Sequence, residues 1–330
     1  MYDYKDIAIV ILNWNGKLLL QQFLPSVTAF SGDAKVYVAD NASTDNSVGF
    51  VTSHYPQIDI IINSTNGGYA KGYNDALKHI KEPLLCLLNS DIEVTKNWLQ
   101  PILTAFNSDA KTAIVQPKIL DFKNKSNFEY AGAAGGFIDK YGYPYCRGRI
   151  FDTVEIDKGQ YNDLTDIFWA SGACFFIKNK AFKDLNGFDE TYFAHMEEID
   201  LCWRAFNNDY KTKYTGTSEV YHVGGATLST TNPKKTYLNF RNSLFTLVKN
   251  TDKHVFIRTV IRMKLDGIAA LRFLIQRKPL YFLAVLKAHF SFYKNLPKLL
   301  AQRKKTPKKA NYFKIKSVVW YYFIAKNRTF

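Results

Sequence analysis

With 330 residues, 47% of them hydrophobic and 15% aromatic, the chain is long enough for one large domain or two with a sizeable core. Its net charge of +15 is unevenly placed: residues 251–330 hold 19 Lys and Arg against only Asp252 and Asp266, while residues 1–250 are close to neutral. That asymmetry points to an anionic partner surface, membrane or nucleic acid. Four widely spaced cysteines (Cys86, Cys146, Cys174, Cys202) include no CxxC pair, which excludes a zinc module by spacing.

In chain order, residues 7–12 form a β-rich run ended by Asn13-Trp14-Asn15-Gly16, and residues 18–30 have helical apolar spacing. A second strand over 36–39 ends at Asp40-Asn41-Ala42-Ser43-Thr44-Asp45. A third over 58–62 is closed by Asn63-Ser64-Thr65-Asn66-Gly67-Gly68. After a helix over 70–80, the uninterrupted run Leu84-Leu85-Cys86-Leu87-Leu88 reads as a strand buried on both faces, and it stops at Asn89-Ser90-Asp91. Strands alternating with helices at this pitch predict a mostly parallel α/β sheet with helices on both faces. The polar loops after the strands then converge on one edge, where open α/β sheets bind ligands. Asp91 at that edge is a candidate ligand for a hard divalent cation, or simply an Asx turn or helix cap.

Residues 122–161 have weak periodicity and read as a long loop or excursion. Regular structure resumes over 167–177, and a helix over 179–185 follows. In Glu197-Glu198-Ile199-Asp200-Leu201-Cys202-Trp203-Arg204-Ala205-Phe206, residues 199, 202, 203 and 206 share one helix face. The three carboxylates at its start either complement the helix dipole or include a rigidly held catalytic base. His222 ends a later strand beside Gly224 and Gly225, as a structural residue or a ligand.

These pieces, in this order, resemble a family-2 glycosyltransferase of the GT-A fold, in its rhamnosyltransferase-like branch. Val38-Ala39-Asp40-Asn41-Ala42-Ser43-Thr44-Asp45 is similar to the nucleotide-contacting block, and Asn66-Gly67-Gly68-Tyr69-Ala70-Lys71-Gly72-Tyr73-Asn74 to the "NxGfaxgxN" segment. Leu88-Asn89-Ser90-Asp91 stands at the DXD position, and Glu197 to Arg204 resembles "EDxDLcwR". The likeness covers residues 6–250. It departs from the family pattern where the metal motif keeps only its last carboxylate, and where Glu198 replaces the usual Asp.

The resemblance implies an inverting transferase that takes a sugar from a nucleoside-diphosphate donor, dTDP-rhamnose or a UDP-sugar, to a glycan or lipid-linked acceptor in surface polysaccharide synthesis. It implies a nucleotide-sugar pocket of Asn13, Asp40, Asn41, Ser43, Asp45, Asn66, Gly67, Gly68, Asn74, Asn89, Ser90 and Asp91. A divalent cation, Mg²⁺ or Mn²⁺, would be held by Asp91 and His222. Glu198 would be the base, with Glu197 and Asp200 as the other candidates, and Trp169, Ser171 and Gly172 would border the acceptor.

The expected organisation is a catalytic domain over 1–250 and a basic helical tail over 251–330. On a helix starting near His254, Arg258, Arg262, Asp266, Arg272 and Arg277 share one face, and Phe256, Ile257, Val260, Ile268, Leu271, Leu274 and Ile275 the other, with Lys264 as an exception among them. Residues 280–300 repeat the theme, and Arg303, Lys304, Lys305, Lys308 and Lys309 form a basic cluster. No charge-free run is long enough to span a bilayer. Such helices lie on anionic lipid, or else pack on the body with a solvated basic face. With no basic n-region at Met1-Tyr2-Asp3, the expected location is cytoplasmic, peripheral on the inner membrane face.

Three rivals remain in view: a sugar nucleotidyltransferase, a NAD enzyme and a nucleic-acid binder. The loop after the first strand is a poor nucleotidyltransferase loop. It also lacks GxGxxG. No nucleic-acid signature appears, so no nucleic-acid partner is expected. A relative that has lost activity is the closer alternative.

Overall fold

The computed structural model describes residues 1–224, 232–305 and 307–330. The apolar runs of the N-terminal third fold into β1 (Ile7–Asn13), β2 (Lys35–Asp40), β3 (Asp59–Ile62) and β4 (Leu84–Asn89). Between them lie α1 (Lys17–Phe30), α2 (Ser47–His54) and α3 (Gly68–Leu77). There follow β5 (Ile92–Val94), α4 (Leu99–Ser108) and β6 (Thr112–Asp121). A small sheet comprises β7 (Gly136–Ile138), β8 (Pro144–Cys146), β9 (Arg149–Ile150) and β10 (Thr153–Val154). The main sheet resumes with β11 (Leu164–Ile167), β12 (Cys174–Lys178) and β13 (Lys211–His222), around α5 (Asn179–Asp184) and α6 (Glu197–Asn207).

The main sheet runs β11-β13-β6-β12-β4-β1-β2-β3, with β5 added to β13. β1, β2, β3 and β4 are mutually parallel, whereas β12 is antiparallel to both β4 and β6. Alternation along β1 explains the two layers: Ala8 and Val10 face α3 and α6, while Ile7, Ile9 and Ile11 face α1, α2 and α4. Register levels the strand ends, because Asn13 pairs with Asp40 and Leu12 with Asn89.

The stretch expected to be an irregular excursion carries the four-stranded sheet β7 to β10, with Phe128, Phe137, Tyr145 and Ile150 buried. Its strands are two or three residues long, too short for periodicity to register. It docks on the main sheet through Trp169, whose indole N–H donates to the Phe137 carbonyl at 2.8 Å. Gly136 lies flat against that indole; a Cβ there would come within 2.0 Å of the ring, so only glycine fits.

Helices α7 (Pro233–Asn250), α8 (Val255–Ile275) and α9 (Pro279–Lys304) complete the fold. Phe245 of α7 packs near Phe292 of α9, and Tyr312 beyond α9 stacks 4.5 Å from Trp203 of α6. The last residues return to the small sheet, where Phe330 lies on Phe137 and the Tyr322 hydroxyl meets Thr153 at 2.8 Å.

The alternative in which α8 packs on the body with a solvated basic face is corrected here. Arg258, Arg262 and Asp266 point inward and are buried, while Phe256, Ile257, Ile268, Leu271 and Ile275 are exposed. Arg262 pairs with Asp266 at 2.8 Å and lies over the Tyr143 ring, whose hydroxyl also donates to Asp266. Arg258 reaches Asp252, Thr251 and Tyr312. A guanidinium is tolerated inside when acceptors meet its fork; Arg262 is met at both Nε and Nη1, whereas Arg258 is met at Nη1 alone and its buried Nε has no partner. The basic cluster beyond α9 is likewise partly engaged: Arg303 donates to the Val248 and Asp252 carbonyls, and Lys309 pairs with Asp209. A helical wheel separates two faces but does not say which one turns inward.

Candidate active site

The strand-end loops form a layered polar network. Asn13 donates to Asp40 at 3.1 Å and to Ser43 at 3.2 Å, and the Ser43 N–H donates to the other Asp40 oxygen. Asn63 donates to Asn41, which donates to Asn66 and to the Gly68 carbonyl. Asp45 accepts the Lys17 N–H at the start of α1 and pairs with the Ser47 hydroxyl. Although desolvation acts upward on Asp45, these donors hold it below the usual carboxylate range. The buried Asn13 Oδ1 has no partner and faces Gly16, which also lies near Ser90. The loops after β1, β2, β3 and β4 therefore meet at one edge, with the start of α3 beside them.

Asp91 follows β4 and is buried, 3.2 Å from His222 Nε2. On the other side of the ring, His222 Nδ1 lies 3.4 Å from Glu129, a carboxylate the sequence reading did not single out. Desolvation works against the imidazolium, yet Asp91 and Glu129 outweigh it and push His222 up to about 10. Among the described residues no group of three or more His, Cys, Asp or Glu is gathered as a metal cage. Asp91 supplies the carboxylate oxygen that a hard cation takes, since Mg²⁺ is bound through one or two carboxylates with substrate phosphates and water for the rest; His222 could join it only as the neutral imidazole. Gly225 lies outside the described residues.

The carboxylates of α6 sort into two kinds. Glu197 and Glu198 each leave one buried oxygen without a partner. Burial and the neighbouring Glu198 push Glu197 well above the carboxylate range. Burial pushes Glu198 up to about 7, although backbone N–H groups at the helix start pull the other way. Asp200, by contrast, faces the interior, where it pairs with Arg204 at 2.8 Å and Lys249 at 2.9 Å and accepts from Asn250. Desolvation is overcome there by Lys249 and Arg204, which hold Asp200 low.

Glu198 is placed by a strained turn. Phe193, His195 and Met196 all have left-handed backbones, with φ between 60° and 73°. Such residues cost about 1–3 kcal/mol each and persist only when clamped. Asn242 of α7, fully buried, is the clamp: its amide reaches the Tyr192, Ala194 and His195 carbonyls at 3.1, 2.9 and 2.7 Å. Arg241 adds bonds to Thr191 and Tyr192. From the other side, the Tyr69 N–H donates to the Phe193 carbonyl and its hydroxyl donates to Gly172 at 2.7 Å. Gly68, at φ 79°, lets Phe193 approach; a Cβ would sit 2.4 Å from its carbonyl oxygen. Gly172 lies close to the Glu198 carboxyl, and its neighbour Ala173 accepts the Asn89 N–H. The start of α6 thus stands beside the end of β4.

Three further residues of the sequence reading sit elsewhere. Trp169 and Ser171 are buried, the first under the small sheet and the second bound through its N–H to Gln116. Asn74 exchanges hydrogen bonds with the Phe188 backbone, tying α3 to the loop before α6. Sequence reasoning missed Glu129, Arg241 and Asn242. The only signal for the last two was a polar Arg-Asn pair between Leu238 and Leu244.

With this geometry in view, likeness to known proteins is specific. The model of "Glycosyl transferase family 2" matches residues 8–185. An N-acetylglucosaminyl-diphospho-decaprenol L-rhamnosyltransferase of Mycobacterium tuberculosis is 24% identical over 235 residues, covering 66% of this chain and 75% of that protein. Rhamnosyltransferase WbbL of Escherichia coli is 23% identical over 207 residues, covering 60% and 76%. A mannosyltransferase of Pyrobaculum calidifontis, solved with GDP-Man and Mn²⁺, superposes with a TM-score of 0.55 at 12% identity, covering 87% of each chain. The strand order, the layered helices and these matches agree: the chain belongs to glycosyl transferase family 2, as a hexosyltransferase-type enzyme of the GT-A fold in the rhamnosyltransferase-like branch.

Proposed function

We propose that the chain is an inverting glycosyltransferase that moves a sugar from dTDP-rhamnose or a UDP-sugar to a hydroxyl of a glycan or lipid-linked acceptor in surface polysaccharide synthesis, working at an anionic membrane surface. Glu198 carries this reading: a half-buried carboxyl with a raised pKa, one buried oxygen without a partner and, among the described residues, no cation paired with it, adjoining the polar strand ends. Such a group is suited to general-base work near neutral pH.

In this reading Asn13, Asp40, Asn41, Ser43 and Asn66 receive the nucleoside. The Gly67-Gly68 backbone at the start of α3 would lie close to the diphosphate, where the absence of a side chain lets a ligand approach the chain closely. Asp91 and His222 hold the divalent cation, His222 first giving up its proton. When bound, the cation supplies charge neutralisation to the departing diphosphate. Glu198 takes the proton from the acceptor hydroxyl as that oxygen attacks the anomeric carbon from the face opposite the diphosphate, so the configuration inverts. Glu197, held protonated beside it, adds no second negative charge. Asp200 keeps its charge for Arg204 and Lys249 and positions the helix rather than the proton.

Gly172 borders the acceptor side. The nucleotide-sugar relatives support a donor of this class, and the solved mannosyltransferase holds Mn²⁺ with its donor. The rhamnosyltransferase named for a decaprenol-linked glycan supports a lipid-linked acceptor. A panel of dTDP-, UDP- and GDP-sugars, each with and without Mn²⁺, tests the reading by thermal shift and donor hydrolysis. Metal-dependent stabilisation and slow hydrolysis by one donor is the expected result. Stabilisation without any turnover would instead identify a catalytically degenerate relative. Release of pyrophosphate from a nucleoside triphosphate and a sugar phosphate would identify a nucleotidyltransferase.

A further inference from the structure

Helix α8 is amphipathic with its polarity reversed. Its inner face carries Arg258, Thr259, Arg262 and Asp266, and its outer face is apolar apart from the exposed Lys264. Ile275 is 83% exposed, Phe256 78% and Ile268 65%. Helix α9 continues the surface across the turn at 276–278 with exposed Leu280, Leu283 and Phe290. Trp320 and Ile324 are exposed nearby, where Arg272 covers the Phe323 ring. A contiguous apolar surface of this kind on a folded chain marks an interaction site.

From this arrangement we infer that the outer face of the α8–α9 hairpin inserts into the interface of an anionic bilayer, with the turn at 276–278 at its tip. The inference rests on the proposed work at a membrane surface and assigns the faces: Arg258 and Arg262 serve the fold, and the apolar side meets lipid. Charge selects the occupant. Arg272, Arg277, Lys278, Lys287 and Lys294 are exposed around the apolar residues. The only carboxylates of residues 251–330 are turned away: Asp266 is buried, and Asp252 pairs with Arg258. Two copies of this face would bring cation against cation. Lipid phosphates neutralise the rim while acyl chains receive the leucines and isoleucines. Among the described residues no helix is long and apolar enough to cross the membrane, so the hairpin lies in the interface. Through α9 it rests on α7, whose Asn242 clamps the turn before Glu198.

Flotation of the whole protein with phosphatidylcholine vesicles, with and without about one third phosphatidylglycerol, tests this. The wild type is expected to float with the anionic vesicles. A Leu271→Ser, Ile275→Ser, Leu280→Ser variant, altered only at exposed positions, should keep its circular dichroism and thermal midpoint and lose partition at least ~10-fold. Arg277→Gln with Lys278→Gln should lose less, and the remaining binding should resist salt. A serine variant that floats like the wild type would overturn the assigned face while leaving the membrane reading intact. Failure of the wild type to bind either vesicle would overturn both. A wild-type dimer that the serine variant dissociates would assign the face to a second copy and overturn the inference.

Discussion

Two of the regions in which this molecule buries charge do so in opposite ways. Behind α8, each buried charge meets its complement: Arg262 lies on Asp266, and Arg258 on Asp252. At the start of α6, the buried Glu197 and the half-buried Glu198 are neighbouring carboxyls with no cation paired to either among the described residues, each with an oxygen lacking a partner. Asp200, two residues on, belongs to the first kind although it shares the helix of the second. Balanced burial holds elements together, whereas unbalanced burial keeps a proton acceptor poised for a substrate that supplies the missing partner.

The contrast is sharpest when one member of each kind is neutralised. Asp200→Asn leaves Arg204 facing an amide and Lys249 with Asp189 alone, and should cost about 3–5 kcal/mol, read as a fall in thermal or denaturant midpoint. An unchanged midpoint would dissolve the distinction between the two kinds. Glu197→Gln and Glu198→Gln, in contrast, should leave the midpoint unchanged or raise it, because each removes an uncompensated carboxyl.

Asn242→Ala takes three carbonyl contacts from the strained turn, a loss of about 1–3 kcal/mol in stability. Its diagnostic readout is a fall in kcat with donor Kd unchanged and a displaced pH profile. A purely structural amide would lower stability without moving that profile.

The pH dependence follows from the raised pKa of Glu198. A base must be ionised, so transfer should rise with pH through about 7 and fall roughly tenfold per unit below it. A rate that is flat from pH 6 to 8 (~one unit either side of the inflection) would assign the proton to another group. The smallest effect is expected for Tyr69→Phe, which removes one hydrogen bond to Gly172, about 0.5–1.5 kcal/mol, with a modest rise in acceptor KM.

Much of this was legible in the sequence because it is written at the two periods a chain can express. Buried strands show as runs, as in residues 84–88, and the polar residues that stop them mark the ligand edge without any coordinates. Ile199, Cys202 and Trp203 likewise foretold part of the buried surface of α6, but the helix is buried on nearly every side, Glu197 and Arg204 included, and Phe206 is only half-buried. What stayed hidden depends on partners far away in sequence. Asn242 acts on carbonyls some fifty residues earlier, and Glu129 meets His222 across the sheet. The strands of the small sheet are too short to show a period. The wheel of α8 separated its faces correctly, but direction is set by Tyr143, Thr251 and Tyr312, which supply the acceptors and rings that admit the guanidinium groups. Trp169 and Ser171 stood in a promising segment, yet packing drew both inside.

The most direct test of the central claim compares Glu198→Gln with the wild type in one assay series. Donor affinity is measured by calorimetry, turnover onto acceptor is followed, and the anomeric configuration of the product is read by NMR. The account predicts unchanged donor Kd, turnover reduced ~10²–10⁴-fold, and an inverted anomeric centre in the wild-type product. Near-wild-type turnover of the variant, or retention of configuration, would contradict it.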